Sequence, residues 1–349
     1  VSARDRHLVL VVPGLYGPET DPPAFDHLRD SRPAALDRLL SRSRVTADSG
    51  NDLDATLGRL FGLAGDVARD LPAAAFSWLA DTGQPPVAWL MRADPVHLRA
   101  DQSCLRLFDS HSFTISREEA DALIAAFNAH FQDAGWKLTA PNPQRWYLSL
   151  PQPPSLQTVS PARVAGQDID PCLPRGADAA RWHALLNEIQ MLFHTHPVNA
   201  AREQRGAPPV NSIWPWGGGR LPGKLAPRAV RLLAEHPLAT GMARHAGLSL
   251  APLPATAEEL LAMRGDGRTL LVDDRLEWPM HYGDIENWLD TLQELETDWF
   301  APLLAALRDG ALATLEIHPC KGHSFHINRR CLRRFWKPVR PYEENRPLP

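Results

Sequence analysis

Between His196 and Pro222 the chain concentrates groups that could hold a ligand. His196-Pro197-Val198-Asn199 is followed by Arg202 and by Arg205-Gly206-Ala207-Pro208-Pro209. Then comes Val210-Asn211-Ser212-Ile213-Trp214-Pro215-Trp216-Gly217-Gly218-Gly219-Arg220-Leu221-Pro222. Guanidinium groups and amides pair with polar or anionic ligands, indoles form rigid walls, and glycines let a ligand approach the backbone. That composition predicts a binding loop with Asn211, Trp214, Trp216 and Arg220 as contact residues. An indole offers one N–H donor and no charge, so Trp216 favours a stacked or weakly charged ligand. The alternative is a Gly/Pro-rich connector whose tryptophans cap the core, since the run matches neither a P-loop nor a dinucleotide fingerprint.

A second group has the donor types of a metal site. Asp273-Asp274 follows an apolar run, His281 and Asp284 precede a long amphipathic segment, and His318 ends a strand-like run with His323 and His326 close behind. Carboxylates and imidazoles of this kind hold a divalent ion such as manganese or zinc, which activates a hydroxyl and neutralises a transferring phosphoryl group. Asp274, His281, Asp284 and His318 are therefore the metal candidates. The competing readings are a strand-end turn for Asp273-Asp274 and a helix cap for Asp284. His194-Thr195-His196 is better explained by surface and capping histidines, because i and i+2 do not share a helix face. In the extended run 94–101, period-two spacing puts His97, Arg99 and Asp101 on one side, as ligand contacts or as a solvated face. No G-x-S-x-G elbow occurs, so no catalytic triad is predicted.

These groups need elements to position them. Leu8 to Val12 reads as a buried parallel strand stopping at Pro13-Gly14, where open α/β sheets build their sites. Leucine spacing predicts helices over 34–40 and 52–61, and another over 72–80. Strands are expected at 87–91 and 104–108, then a helix capped by Ser116 with Glu118 and Glu119 in its first turn, then strands at 136–138 and 145–150. Residues 151–174 read as a proline-rich loop, and 179–194 as a helix with Trp182, Leu185, Leu186, Ile189 and Phe193 inward. Further on, helices are predicted at 229–235, 257–263 and 285–307, with strands at 269–272, 313–317 and 324–327. The basic-aromatic tail, Arg329 to Arg340, reads as a terminal element docking Leu332, Phe335 and Trp336, its arginines in water. The alternation predicts an α/β fold: a mostly parallel sheet flanked by helices over 1–85 and 175–349, with a smaller α+β insert and loop over 86–174.

Bulk properties narrow the function. The 349 residues are 44% hydrophobic and 22% charged, with a net charge of -4, so there is no general basic excess for nucleic acid. No apolar run is long enough to span a bilayer, and no signal-peptide pattern is visible, which gives a cytoplasmic expectation without membrane partners. Cys104, Cys172, Cys320 and Cys331 form no CxxC pair and are read as buried free thiols. The 33 prolines exceed the usual share of roughly 5% and stiffen many loops.

Several of these segments, in this order, resemble the cofactor-independent phosphoglycerate mutases of the archaeal type, in the alkaline phosphatase superfamily. The first strand with Arg32-Pro33-Ala34-Ala35-Leu36-Asp37-Arg38-Leu39-Leu40 is similar to that family's opening, and the insert to its small domain. His196 to Gly219 resembles the substrate segment, and His281-Tyr282-Gly283-Asp284 and Leu315-Glu316-Ile317-His318 the metal segments. The runs Ala93 to Asp101 and Trp214-Pro215-Trp216-Gly217 are similar to a bacterial branch, the regulatory proteins of the RpfE type. The resemblance implies an alkaline-phosphatase-like fold, a paired-metal site and a phosphorylated serine nucleophile. The chain departs from that pattern at several points. Pro13 ends the first strand where an aspartate is implied, Asn51 stands at the nucleophile-like position unless Ser49 serves, and Ile317 precedes His318 in place of an aspartate. Trp216 replaces the substrate arginine. Two expectations follow: an eroded mutase-like protein that binds a small molecule, phosphorylated or not, or a protein partner, or a metal-dependent mutase or phosphohydrolase with a rebuilt site.

Overall fold

The computed structural model describes residues 6–18, 32–48, 50–63, 71–101, 104–263, 265, 267–334 and 336–345. In chain order the elements begin with β1 (Arg6–Val11), α1 (Ala34–Arg42), β2 (Arg44–Ala47), α2 (Leu53–Leu60) and α3 (Ala73–Thr82). Next come β3 (Leu90–Asp101), β4 (Cys104–Phe108), α4 (Arg117–His130), β5 (Lys137–Asn142) and β6 (Arg145–Ser149). They are followed by α5 (Ala179–His194), α6 (Pro197–Gln204), β7 (Ser212–Gly219), β8 (Arg231–Leu233) and α7 (Pro237–Ala246). After β9 (Ser249–Ala251), α8 (Ala257–Ala262) and β10 (Gly267–Val272) stand α9 (Glu277–Tyr282), α10 (Ile285–Leu295) and α11 (Ala301–Asp309). The chain closes with β11 (Thr314–His318), β12 (His323–Asn328) and α12 (Arg329–Leu332).

Two compact units divide the chain: 1–64 with 224–349, and 65–223. The first is built on a seven-stranded sheet in the order β2-β12-β11-β1-β10-β8-β9. β11, β1, β10, β8 and β9 run parallel, and β12 and β2 add an antiparallel edge. Alternation along β1 explains why its sequence is apolar throughout. Leu8 and Leu10 enter one core with Leu36, Leu271, Leu315, Ile317, Trp288 and Phe300, while Val9 and Val11 are buried on the other face. The long helical segment after Asp284 is one continuous rod, α10 and α11 joined by a π turn over Glu296–Phe300. Glu296 turns inward there and accepts the backbone N–H groups of Ala35 and Leu36, capping α1 from a distance (2.6 and 3.1 Å). The C-terminal segment docks on the same helix. Tyr342 is buried and stacked on Tyr16, and its N–H donates to Asp37, whose carboxyl burial pushes up to about 6.

The second unit holds β3 at the centre, paired antiparallel with β6 and β4 and, separately, with β7. β5 pairs with β6, and α4 and α5 cover one face through Phe127, Trp182, Leu186, Ile189 and Phe193. The cap expected at Ser116 is formed, as a capping box with Glu119. This unit reaches further than an insert over 86–174. α3 precedes it, and α5, α6 and β7 belong to it because their apolar faces close the same core.

Three further expectations are corrected. Residues 229–235, predicted helical, hold the short strand β8, whose Leu232 and Leu233 are fully buried beside β10. Residues 212–219, predicted as a loop, form β7. Its residues are buried on both sides, Ile213 in the α4/α5 core and Trp214 in a second cluster with Val96, Leu107 and Ile169. Pro215 fits because β7 pairs with β3 alone among the described strands, so a missing N–H breaks no second ladder. In the tail, Leu332 packs on the core but Trp336 is 69% exposed, and Phe335 lies outside the described residues. Of the cysteines, all free, Cys320 and Cys331 are buried and Cys104 and Cys172 half-buried. Among the described residues no helix is long and apolar enough to cross a membrane.

The glycine triplet has a packing reason. Gly217 has φ +59°, and a Cβ there would lie 2.8 Å from the Ala73 Cβ; at Gly218 it would meet the Trp89 ring at 2.5 Å and at Gly219 the Pro72 side chain at 2.5 Å. The missing side chains let α3 and its lead-in lie on β7. Gly217→Ala is accordingly expected to destabilise the chain by about 1–3 kcal/mol, from both strain and overpacking, as urea unfolding would measure.

Candidate functional site

The carboxyl ends of β1, β10 and β11 meet at one edge of the large sheet. The Val12 N–H donates to the His318 carbonyl (2.9 Å) and the Asp273 N–H to the Val11 carbonyl (3.0 Å). The 48–52 loop is tied to the same edge, since the Asp48 N–H donates to Gly322 and the Gly322 N–H to Gly50 (2.8 and 2.9 Å). A crevice outside parallel strand ends is where α/β folds place ligands. Asn51 stands there, its Oδ1 2.8 Å from where a Cβ on Gly322 would be. Its amide is no nucleophile, and Ser49 lies outside the described residues.

His318 is fully buried and held at both ring nitrogens. Nδ1 is 3.2 Å from Asp48 Oδ2, and Nε2 is 2.8 Å from Glu316 Oε1. Arg59 pairs with Asp48 and lies 3.3 Å from His318 Nδ1, while Arg268 lies 3.3 Å from Glu316 Oε2. Burial by itself would lower the His318 imidazole; the bonds to Asp48 and Glu316 outweigh it and hold the group above its ordinary value. Burial would likewise raise Asp48 and Glu316, and their bonds to His318 and nearby cations hold both below the usual range. Asp273, at the end of β10, is 1% exposed and clamped by its neighbour: Arg275 Nε donates to Oδ1 (3.0 Å) and Nη2 to Oδ2 (2.8 Å). Burial pushes the Cys320 thiol up, which leaves it a poor nucleophile.

This donor set does not fit a pair of divalent cations. The first strand ends in Val11-Val12-Pro13, which brings no ligand side chain. Asp48 is matched by Arg59 and His318, Glu316 by His318 and Arg268, and Asp273 by Arg275. The other sequence candidates stand apart from this network. Asp284 is exposed and caps α10, accepting from the Asn287 N–H (3.2 Å). His281 packs on the Trp278 ring and lies 3.9 Å from Glu277 Oε1. Asp274 is half-buried after β10, and its carbonyl accepts from the Glu277 N–H (3.0 Å). Among the described residues no group of three or more His, Cys, Asp or Glu is placed to hold a metal ion.

The ligand-loop candidates lie in the second unit, each with a bonding role there. Asn211 accepts from the Leu98 N–H (2.7 Å) and donates to the Leu98 carbonyl (2.8 Å), extending the β3–β7 ladder with its side chain. Trp214 is 1% exposed and donates to the Val159 carbonyl (2.7 Å). Trp216 donates to Asp94 Oδ2 (2.7 Å), with the Arg92 guanidinium over its ring at 5.2 Å. His97 is bonded to the Pro209 carbonyl (2.9 Å), Arg99 lies over the Phe108 ring (4.5 Å), and Arg220 is exposed beyond β7. Asn199 and Arg202 are buried staples: Asn199 bonds Phe193 and Val210, and Arg202 bonds Pro208, Glu119 and Thr114. His196 caps α6, accepting from the Val198 N–H (3.2 Å).

Residue-by-residue reading missed two clusters. One is the buried pair Arg92–Asp94, joined to Trp216 and the Trp146 N–H, with Asp81, Arg145 and Tyr147 beside it. Its i, i+2 spacing is legible in the sequence, on the opposite parity from His97, Arg99 and Asp101. The other is Glu316–His326–Ser324, a carboxylate, an imidazole and a hydroxyl in line, 3.6 and 3.1 Å apart. Burial holds the His326 imidazole low. The order is that of a catalytic triad, yet Ser324 sits within β12, which is laddered to β11 and β2 on its two sides, with no turn or helix N-terminus to offer oxyanion donors.

What these features define is a mixed α/β protein whose strand-end crevice is lined by matched charges. Residues 84–199 match the family model described as 2,3-bisphosphoglycerate-independent phosphoglycerate mutase. A protein of that name from Methanosarcina acetivorans is 24% identical over 305 residues, 79% of this chain and 75% of that one. A probable 2,3-bisphosphoglycerate-independent phosphoglycerate mutase from Geobacter sulfurreducens is 39% identical over 67 residues, covering 19% and 17%. The solved structure of PH0037 protein from Pyrococcus horikoshii has a similar fold, with a TM-score of 0.50 at 15% identity over 94% of this chain and 88% of that one. The chain is thus similar to 2,3-bisphosphoglycerate-independent phosphoglycerate mutases, over 84–199 in the family model and over most of its length in the Methanosarcina acetivorans protein.

Proposed function

We propose that this chain is a phosphoglycerate-mutase-like protein whose strand-end site is eroded, and that it acts by binding a phosphorylated metabolite or a protein partner, in a regulatory role. The observation that carries this reading is the matching of Asp48, Glu316 and Asp273 by Arg59, His318, Arg268 and Arg275. A carboxylate bidentately clamped by arginine binds a divalent ion only if the guanidinium leaves, and each such pair is a charge-assisted bond that opposes it. Without the ions the chain lacks the groups that lower a hydroxyl's pKa and stabilise a transferring phosphoryl group. The likeness of Ala93 to Asp101 and of the Trp-Pro-Trp-Gly run to regulatory proteins of the RpfE type supports the regulatory part.

The test is metal analysis of the purified chain with mutase and phosphatase assays on 2- and 3-phosphoglycerate, with manganese or zinc supplied. Substoichiometric metal, an unchanged melting temperature on metal addition and no turnover are expected. Two tightly held ions per chain, with turnover abolished in His318→Ala, would overturn the reading.

A further inference from the structure

The large sheet ends at β2, which pairs with β12 alone among the described strands. The Asp48 N–H donates to the Gly322 carbonyl (2.8 Å) and continues that ladder by one pair. Alternation then turns the backbone groups of Arg44 and Thr46 towards β12, and those of Val45 and Ala47 away from it. The N–H and carbonyl of Val45 and of Ala47 therefore line the open edge, where no described residue bonds them. Edge strands are commonly closed by a proline, a lysine or a bulge. β2 reads Arg44-Val45-Thr46-Ala47, and its register with β12 is unbroken.

Apolar surface gathers at the same place. Of the seven large hydrophobic side chains exposed among the described residues, three are Val45 (45%), Trp336 (69%) and Val339 (44%). The tail that carries two of them is tied to the residues just before β2. Lys337 Nζ donates to the Ser43 carbonyl (3.3 Å), and the Arg340 N–H to Ser41 Oγ (2.9 Å). The surroundings are basic. Residues 32–60 and 323–345, which frame the edge, hold eleven Arg and Lys against six Asp and Glu, in a chain of net charge -4. Most of those carboxylates are engaged: Asp37 accepts the Tyr342 N–H, Asp48 pairs with Arg59 and His318, Asp52 caps α2, and Glu343 pairs with Arg32. The stretch 329–340 carries six cations and no carboxylate. Asp273 and Glu277 follow β10, four strands in from the edge and roughly 19 Å away by strand spacing.

We propose that the β2 edge, with Val45, Trp336 and Val339, is a docking site for an extended acidic segment of a protein partner, which adds to the sheet as a further strand. The partner's backbone takes the N–H and carbonyl groups of Val45 and Ala47, and its alternate apolar side chains pack on Val45, Trp336 and Val339. Its carboxylates meet Arg44, Arg333 and Arg340, which are exposed. Open ladder groups select a polypeptide backbone over a nucleic acid. A second copy of this chain would bring the same basic surface against itself. The proposal rests on the protein-partner side of the proposed function and places it away from the strand-end crevice. Metal-dependent turnover would sink the eroded-site reading and leave the edge testable.

The experiment titrates the full chain into a fluorescein-labelled octapeptide of alternating Glu and Val, followed by fluorescence anisotropy at about 0.15 M salt. Saturable binding is expected, with the amide resonances of Val45 and Ala47 shifting with occupancy in NMR. The same peptide N-methylated along its backbone keeps every charge and should not bind, nor should a Lys-Val octapeptide. Val45→Pro removes an outward N–H and spares the β2–β12 ladder. It should weaken binding at least about tenfold, as should Arg44→Glu. Arg244→Glu makes the same charge change at an exposed position of α7, which packs on β8 and β9 at the opposite edge, and should leave binding unchanged. Should Val45→Pro fail to fold, the N-methylated peptide with the wild-type chain decides. Absence of saturation, equal binding of the N-methylated or Lys-Val peptide, or an equal loss in Arg244→Glu would overturn the proposal. So would binding of an oligonucleotide in place of the peptide, or a dimer in sedimentation that Val45→Pro dissolves.

Discussion

Replacing His318 by alanine is expected to destabilise the chain by about 3 kcal/mol at pH 6, near the lower end of the range for breaking a buried ion pair. The imidazole is fully buried and bonded to Asp48 and Glu316, so its loss leaves two buried carboxylates each short of one partner. Arg59 and Arg268 remain to them, which keeps the cost from being larger. The pH dependence identifies the cause. The folded-state pKa of His318 lies above the ordinary 6.5, so its contribution is fully present below 6.5 and is lost as pH rises through the folded value. Asp48 and Glu316 are held below their ordinary 3.8 and 4.5, so their contribution is present above those values and is lost as pH falls through the folded ones. The network is thus strongest between about 4.5 and 6.5. Urea unfolding at several pH values should show the wild-type chain losing stability on the alkaline side of that window. His318→Ala should have lost that slope. A variant that costs nothing, or keeps the slope, would mean that the imidazole is not the cation of this site.

How much of this was legible in the sequence depended on the kind of signal. Periodicity located β1, α4, α5 and the α10–α11 rod, because one-face or two-face burial writes itself into the spacing of leucines and valines. Composition misled at β7. Pro215 and three glycines are loop formers in most settings, and here they serve an edge strand that must let α3 approach closely. Asn211, Trp214 and Trp216 have the right chemistry for a ligand, but the same donors and acceptors are what a buried backbone and a buried carboxylate require. Sequence spacing cannot tell those two uses apart. The matched charges at the strand ends were hidden for a different reason. His318 meets Asp48 across 270 residues of sequence, and only the pairs two residues apart, Asp273–Arg275 and Glu316–His318, had a local signature. The departures at Pro13, Asn51 and Ile317 are readable only against the resemblance.

The second large effect is expected at Asp94, in the unit formed by residues 65–223. This carboxylate accepts from Arg92 Nε and Nη2 (2.9 and 2.7 Å), from the Trp146 N–H (3.2 Å) and from Trp216 Nε1 (2.7 Å). Arg92 is itself buried, between the Tyr147 and Trp216 rings. Asp94→Ala leaves that guanidinium without its bonded anion and removes an acceptor from two further N–H groups, at a cost of about 4 kcal/mol. Asp94→Asn keeps the shape and part of the bonding and should lose roughly half as much. The decisive comparison is the double variant Arg92→Met with Asp94→Leu. Taking both charges out of the interior removes the desolvation penalty together with the attraction, so the pair can be replaced at little net cost. The double variant should therefore recover most of the stability lost by Asp94→Ala, measured by urea unfolding of all four proteins. If it is no better than the single variant, the pair contributes more than its own neutralisation, and the β3–β7 register would depend on it. If Asp94→Ala is itself silent, Arg92 must find another anion. Asp81, already bonded to Arg145 and Tyr147, is the other carboxylate whose charge acts on Arg92.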